Sequence, residues 1–183
     1  GMHLRAFSNP PVWTWTPSEN RVLSGEVFIY PYVSWFPYIV VCAALAIKNL
    51  DDRQFKKAVL VLTTGMNIFL FISYVWPTGL DFRESIVYDL HTLSGNLLKF
   101  VQTVDTPKSV FPSMHVYVTL VLQYTLEMQK KLVPAWGIWV GRVLAVLIVL
   151  STMFTKQHSA VDVTAAIVMF AVLAIVTEKI VKK

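Results

Sequence analysis

Residues 135–178 read AWGIWVGRVLAVLIVLSTMFTKQHSAVDVTAAIVMFAVLAIVTE, two long apolar runs separated by one short polar turn. As helices, the runs at roughly 135–156 and 159–178 are each long enough to cross about 30 Å of hydrocarbon. The turn places His158 at the edge of the apolar sequence and Asp162 four residues later. This stretch therefore predicts two membrane helices with a histidine and an acid where they join.

The whole chain has the composition of a membrane protein. Of its 183 residues, 55% are hydrophobic, and its mean hydropathy is +0.56. A soluble domain of this length rarely needs so much apolar surface. We predict an all-α, polytopic membrane helix bundle with five spans, at residues 29–47, 58–77, 112–128, 135–156 and 159–178.

Two details of the first span support this interpretation. It lies too deep in the chain, and is too long, for a cleaved signal peptide. The single cysteine, Cys42, falls inside it, has no intrachain partner and is predicted to be a small buried residue.

The basic residues are distributed as in a membrane protein rather than a nucleic-acid-binding one. The net charge is +5, and ten of the sixteen basic residues follow alternate spans or can reach the same side. They are Lys48, Arg53, Lys56, Lys57, Lys130, Lys131, Arg142, Lys179, Lys182 and Lys183. Because positive loops stay in the cytoplasm, the N-terminus is predicted outside. This integral membrane protein, predicted for the cell membrane, would then carry His115, His158 and Asp162 at its outer face.

The sequence divides into an N-terminal arm and one membrane domain. Residues 1–28 are rich in proline and tryptophan, which favours an irregular or interfacial arm. Gly1, which precedes Met2, looks like a cloning scar. Residues 29–183 form the predicted helical domain.

The long outer connection at 81–111 has an amphipathic pattern. Its apolar residues recur at spacings of three and four, which is typical of a helix: Ile86, Leu90, Leu93, Leu97 and Val101. Such a helix would lie over the outer face and roof the site, or would be a connector packed on the bundle. Residues 94–96, Ser-Gly-Asn, are a candidate break in it, and Pro112 suits the first turn of the third span.

The two histidines and the acid suggest phosphoryl transfer. On a helix, His158 and Asp162 are neighbours at i and i+4. A carboxylate on one imidazole nitrogen fixes the tautomer and leaves the other nitrogen able to attack phosphorus. His115, from another helix, would protonate the leaving oxygen and then activate water or an alcohol.

A transferred phosphoryl group also needs positive charge and N–H or O–H donors around it. Lys156, Arg83 and Ser113 are the candidates, together with the N–H groups at the start of the third span. Taken singly, each has a plainer interpretation, as a snorkelling anchor, a solvated loop residue and a helix cap. A His/His/Asp metal site is the remaining alternative, and it is weak because no further His or Cys cluster accompanies it.

Two of these stretches resemble motifs of the type 2 phosphatidic acid phosphatases, which share a fold with the vanadium haloperoxidases. That family has three motifs, K-x6-R-P, P-S-G-H and S-R-x5-H-x3-D. Pro112-Ser113-Met114-His115 resembles the second, with methionine at the glycine. Ser151 through Asp162 resembles the third, with Thr152 at the usual arginine and the His-x3-Asp spacing intact.

The first motif matches less fully. Arg83 takes its arginine position, whereas Glu84 replaces the proline and Trp76 stands where lysine is expected. The wording of the other two motifs is similar to an inositol-phosphotransferase-like or sphingolipid-synthase-like subgroup. The resemblance covers about residues 26–178.

The resemblance implies a role for each matching residue. His158 is implied as nucleophile, Asp162 as its orienting acid and His115 as general acid and base. Arg83 and Ser113 would bind phosphate. No metal or other cofactor is implied. We add the hypothesis that Lys156 supplies part of the positive charge that positions 76 and 152 lack.

The family core has six membrane helices, one more than the sequence predicts. The sixth would precede residue 26, so either the chain is trimmed or its arm replaces that helix. The leading functional hypothesis is a phosphatase acting on a lipid phosphomonoester or pyrophosphate at the extracytoplasmic face. The family implies phosphatidic acid, phosphatidylglycerol phosphate or polyprenyl pyrophosphate as substrates, with the bilayer as surroundings. The alternatives are a transferase of the phospho-headgroup to an alcohol and a non-catalytic relative that binds lipid phosphate.

Overall fold

The computed structural model describes residues 26–79, 88–105 and 109–181, and within these ranges the chain forms helices and no strands. The helices, after a short 3₁₀ turn at Glu26–Phe28, are α1 (Ile29–Val33), α2 (Trp35–Asn49), α3 (Asp52–Val75), α4 (Leu93–Val104), α5 (Met114–Met128), α6 (Ala135–Phe154) and α7 (Ala160–Ile180). The predicted all-helical class is confirmed.

Four helical segments in the described ranges are long and apolar enough to cross a membrane. They are Glu26–Asn49, Asp52–Val75, Ala135–Phe154 and Ala160–Ile180. The third predicted span, 112–128, is not among them. Its helix α5 has 15 residues, about 22 Å at 1.5 Å per residue, which is shorter than a typical hydrocarbon core.

Helix α5 lies inside the bundle, where it contacts α2, α3, α6 and α7. The Tyr117 ring shows how closely α5 fits α3, since its hydroxyl donates to the Val61 carbonyl at 2.6 Å. A Cβ on Gly65 would lie 2.1 Å from that ring, so only glycine leaves room for it. The apolar pattern of α5 therefore reflects burial in protein. Cys42, as predicted, is buried, and it belongs to the core between α2, α5 and α6.

Polar contacts tie the helices together at the end of the bundle where α5 finishes. Glu127 on α5 accepts two hydrogen bonds from Arg142 on α6, at 2.7 and 2.9 Å. Lys57 on α3 pairs with Glu178 on α7. Several of the basic residues counted above thus lie at the opposite end of α5 from His115, and we call this the basic end.

The predicted amphipathic segment contains a helix, and part of the predicted apolar stripe lies on it. Helix α4 begins at Leu93, capped by the Thr92 hydroxyl, which accepts from the Gly95 N–H. Residues 94–96 therefore form its first turn instead of breaking it. Leu98 is its buried core residue, whereas Leu93 is 73% exposed. Leu97 and Val101 of the predicted stripe pack against the same cluster as Leu98, so the covered side of α4 includes the second half of that stripe. Ile86 lies outside the described residues.

Exposed aromatic residues occur near both ends of the long helices. Tyr74 and Trp76 are exposed at the end of α3, and Trp136 and Trp139 are exposed near the start of α6. Such residues favour the two headgroup layers of a bilayer. Together with the exposed apolar side chains between them, they support a membrane protein.

Candidate functional site

The site begins at the turn between α6 and α7, where Lys156 adopts a left-handed backbone with φ of 55°. The Lys156 N–H donates to the Met153 carbonyl at 3.0 Å, and the Gln157 N–H donates to the Thr152 carbonyl at 2.9 Å. This pair of bonds is the Schellman arrangement that closes a helix, usually with glycine at the left-handed position. The tight closure places His158 one residue before the cap of α7, where it is 8% exposed.

Asp162 is held in the first turn of α7 by a capping box. Its Oδ2 accepts from the Ser159 N–H at 2.7 Å, and its own N–H donates to the Ser159 hydroxyl at 3.3 Å. The same Oδ2 lies 3.9 Å from His158 Nδ1. The predicted i and i+4 pair is therefore close, at ion-pair distance and beyond the 2.7–3.2 Å of an N–H···O hydrogen bond.

The start of α5 is joined directly to the start of α7. Ser113 caps α5 by accepting from the Val116 N–H at 3.3 Å, and its own N–H donates to the Asp162 carbonyl at 3.1 Å. Ser113 is fully buried. Its N–H is thus committed to the protein, and only its hydroxyl hydrogen remains as the predicted phosphate donor.

This junction brings together the two predicted histidines, which are 43 residues apart in sequence. His115, the second residue of α5, lies with Nδ1 3.5 Å from Nε2 of His158. Asp162 is on the opposite side of the His158 ring, beside Nδ1. The order acid, imidazole, imidazole can hold one nitrogen of His158 and leave the other facing a proton donor.

His115 also contacts two residues that the sequence did not single out, Tyr32 and Trp35, and Tyr32 in turn binds Asp105. Tyr32 places its hydroxyl 3.0 Å from His115 Nε2 and donates to Asp105 Oδ2 at 3.1 Å. The Trp35 ring lies against His115, with centroids 4.5 Å apart. Tyr32 and Trp35 sit in an apolar run and Asp105 in a connection, so no local pattern marks them.

Helix α4 delivers Asp105 to this cluster. The Gln102 amide donates to the Thr155 carbonyl at 2.8 Å, which fixes the end of α4 against the end of α6. Asp105 is the C-cap residue of α4, one turn further on. The 3₁₀ turn supports the same junction, since Phe28 stacks on Phe154 with ring centroids 4.2 Å apart.

Of the two positively charged residues predicted for the site, the structure describes only Lys156. Arg83 lies outside the described residues. Lys156 lies in the turn itself, two residues from His158 and partly buried. Thr152, at the position of the family's arginine, is buried and donates to the Val149 carbonyl of its own helix. It therefore contributes no positive charge to the site.

An apolar groove of about 690 Å³ reaches the same helix starts. Ile68 and Ile72 of α3 form one wall, and Ala165 and Val168 of α7 form the other. Pro112, directly before Ser113, closes one end. The groove can accept an unbranched apolar chain, although neither His115 nor His158 lines it.

Comparisons with known protein families, with curated proteins and with solved structures find no match. Among the described residues, no group of three or more His, Cys, Asp or Glu side chains is arranged to hold a metal ion. The interpretation of this site rests on its own geometry.

Proposed function

We propose that this protein is a membrane enzyme that hydrolyses a lipid phosphomonoester or pyrophosphate through a phosphohistidine. The observation that carries the proposal is the contact of 3.5 Å between His158 Nε2 and His115 Nδ1, with Asp162 3.9 Å from the other nitrogen of His158. These are a nucleophile, a proton donor and an orienting acid in one row.

In the proposed reaction, the leaving oxygen of the substrate replaces His158 Nε2 as the partner of His115 Nδ1. A bond forms from His158 Nε2 to phosphorus while the bond from phosphorus to the leaving oxygen breaks. The proton on His115 Nδ1 goes to that oxygen. Water then attacks phosphorus and gives a proton to His115 Nδ1, and the phosphorus–nitrogen bond breaks to release phosphate.

The surroundings support a lipid as the substrate. The turn that holds His158 joins α6 and α7, which are both long and apolar enough to span a membrane. The groove between α3 and α7 is lined by apolar side chains. A lipid entering sideways would lay a chain in the groove and bring its phosphate to the starts of α5 and α7. Helix N-termini favour such an anion.

The test is release of phosphate from a panel of lipid phosphates in detergent with excess EDTA. We expect release by the wild type, its loss to background in His158→Ala, and full release by His91→Ala. His91 is an exposed histidine in the turn before α4, so it controls for the loss of an imidazole as such.

Two outcomes would contradict the proposal. Release by His158→Ala at the wild-type rate would exclude the phosphohistidine. Absence of free phosphate, with a new phosphodiester formed on an added alcohol, would identify a transferase with the same site.

A further inference from the structure

We infer that Tyr32 is a positioning residue for His115, acting as a hydroxyl bridge between Asp105 and the imidazole. This inference rests on the proposed function, and it assigns a separate task to each nitrogen of His115. Nε2 is held by Tyr32, so Nδ1 is the nitrogen that exchanges protons with the substrate.

The assignment follows from counting hydrogens. A carboxylate only accepts hydrogen bonds, so the single hydroxyl hydrogen of Tyr32 goes to Asp105 Oδ2, 3.1 Å away. The Tyr32 oxygen is then an acceptor toward His115 Nε2 at 3.0 Å, which requires a hydrogen on Nε2. The hydrogen bond made by one ring nitrogen decides the state of the other.

The remaining geometry directs Nδ1 at the nucleophile. Nδ1 of His115 is 3.5 Å from Nε2 of His158. When His115 is protonated, Nδ1–H donates toward the lone pair of His158 Nε2, and His158 keeps its own proton on Nδ1 beside Asp162. Five side chains therefore form a row with a carboxylate at each end and the exchangeable proton in the middle. In order, they are Asp105, Tyr32, His115, His158 and Asp162.

Aromatic neighbours also hold the His115 ring in place. The rings of Trp35 and Tyr32 lie 4.5 and 5.1 Å from the His115 ring, centroid to centroid. Tyr32 is 2% exposed, so its hydroxyl is held by protein contacts.

Comparing the hydrolysis rates of two substrates distinguishes a role of Tyr32 in positioning His115 from a role in the stability of the protein alone. A lipid phosphomonoester has an alkyl leaving group that needs a proton, whereas p-nitrophenyl phosphate has an activated leaving group that leaves without one. We expect Tyr32→Phe to slow hydrolysis of the lipid by about 10- to 100-fold, since general acid catalysis supplies 10²–10⁴-fold. The rate with p-nitrophenyl phosphate should fall far less.

The matched control is Tyr30→Phe, which removes an exposed hydroxyl from the same short helix and should leave both rates unchanged. Asp105→Asn should also slow hydrolysis of the lipid more than hydrolysis of p-nitrophenyl phosphate, but by a smaller factor than Tyr32→Phe. Because the carboxylate acts through the hydroxyl, the double variant should be no slower than Tyr32→Phe. Equal losses on both substrates, or none, would overturn the inference.

A spectroscopic measurement decides the point even if the protein hydrolyses nothing. In ¹⁵N-histidine-labelled protein in detergent, His115 should show an Nε2–H proton protected from exchange, assigned by its loss in His115→Gln. The signal should disappear or shift in Tyr32→Phe and stay in Tyr30→Phe. An Nε2 without a proton, or one indifferent to Tyr32→Phe, would refute the bridge. A protected proton in a protein that releases no phosphate would instead refute the proposed hydrolysis alone.

Discussion

At the scale of single residues, the most informative side chain is Lys156. A left-handed backbone costs a residue with a Cβ roughly 1–2 kcal/mol, and glycine avoids this cost. The turn from α6 to α7 nevertheless has lysine there, with φ of 55°, two residues before His158. Strain of this kind concentrates at functional sites, which supports the hypothesis that Lys156 supplies charge to the phosphate.

Replacing Lys156 with glycine separates its backbone from its charge. We expect Lys156→Gly to leave stability unchanged or raise it by up to about 1 kcal/mol, because the strain is relieved. It should lower kcat/KM for a lipid phosphate about tenfold or more, because the positive charge that Lys156 is proposed to supply to the transferred phosphoryl group is lost. Thermal midpoints and steady-state rates in detergent measure the two effects.

Lys156→Arg, which keeps both the charge and the strain, is the control and should retain most activity. Wild-type kinetics in Lys156→Gly would show that the lysine is only an interfacial anchor.

At the scale of elements, the site is a junction of helix starts. The Ser113 N–H binds the Asp162 carbonyl at 3.1 Å, so the first turns of α5 and α7 cannot separate without losing a buried hydrogen bond. Helix α7 also forms one wall of the groove. We therefore expect helix α7 to contact both the apolar chain and the phosphate of the substrate.

Filling the groove should affect long substrates only. Ala165→Phe projects a ring into the space between α3 and α7, so we expect KM for a long-chain lipid phosphate to rise about tenfold or more, the order of one or two buried methylene contacts. A short, water-soluble phosphomonoester should be hydrolysed as before.

Ala171→Phe provides the comparison, since Ala171 is exposed on the same helix and is not among the groove residues. If both variants changed KM equally, or neither did, the groove would not hold the substrate chain.

At the scale of the whole molecule, the two ends of the bundle differ in chemistry. One end carries the histidines, and the basic end carries Lys57 and Lys130. Helix α6 has 20 residues, about 30 Å, so the two ends can lie at the two surfaces of a bilayer. From the positive-inside rule we predict that the basic end faces the cytoplasm.

Labelling with a membrane-impermeant maleimide tests this orientation. Cys42 is fully buried, so the background should be low. In intact cells we expect His91→Cys to label, because the start of α4 is held near the histidine end by hydrogen bonds to Glu26. Lys130→Cys, whose native side chain is 60% exposed, should label only after the membrane is permeabilised. The reverse pattern would place the site in the cytoplasm.

The amino-acid sequence by itself determined the properties that depend on near neighbours. The helical class follows from the length and composition of the apolar runs. The closeness of His158 to Asp162 was predicted from helical spacing, but His158 precedes helix α7, and the turn and the Ser159–Asp162 capping box bring the two together. Burial of Cys42 follows from its apolar surroundings. The roles assigned to Arg83, Ser113 and Lys156 stay predictions.

Only the tertiary structure decided what depends on packing between distant segments. The apolar side chains of α5 are buried among four surrounding helices. An apolar sequence alone does not distinguish burial in protein from burial in lipid. For the same reason, Leu97 and Val101 of the predicted stripe on α4 pack against the bundle whereas Leu93 is exposed. His115 meets His158, and Tyr32 meets Asp105, through contacts spanning 43 and 73 residues. No local spacing encodes such contacts, because they arise from how the helices fit together.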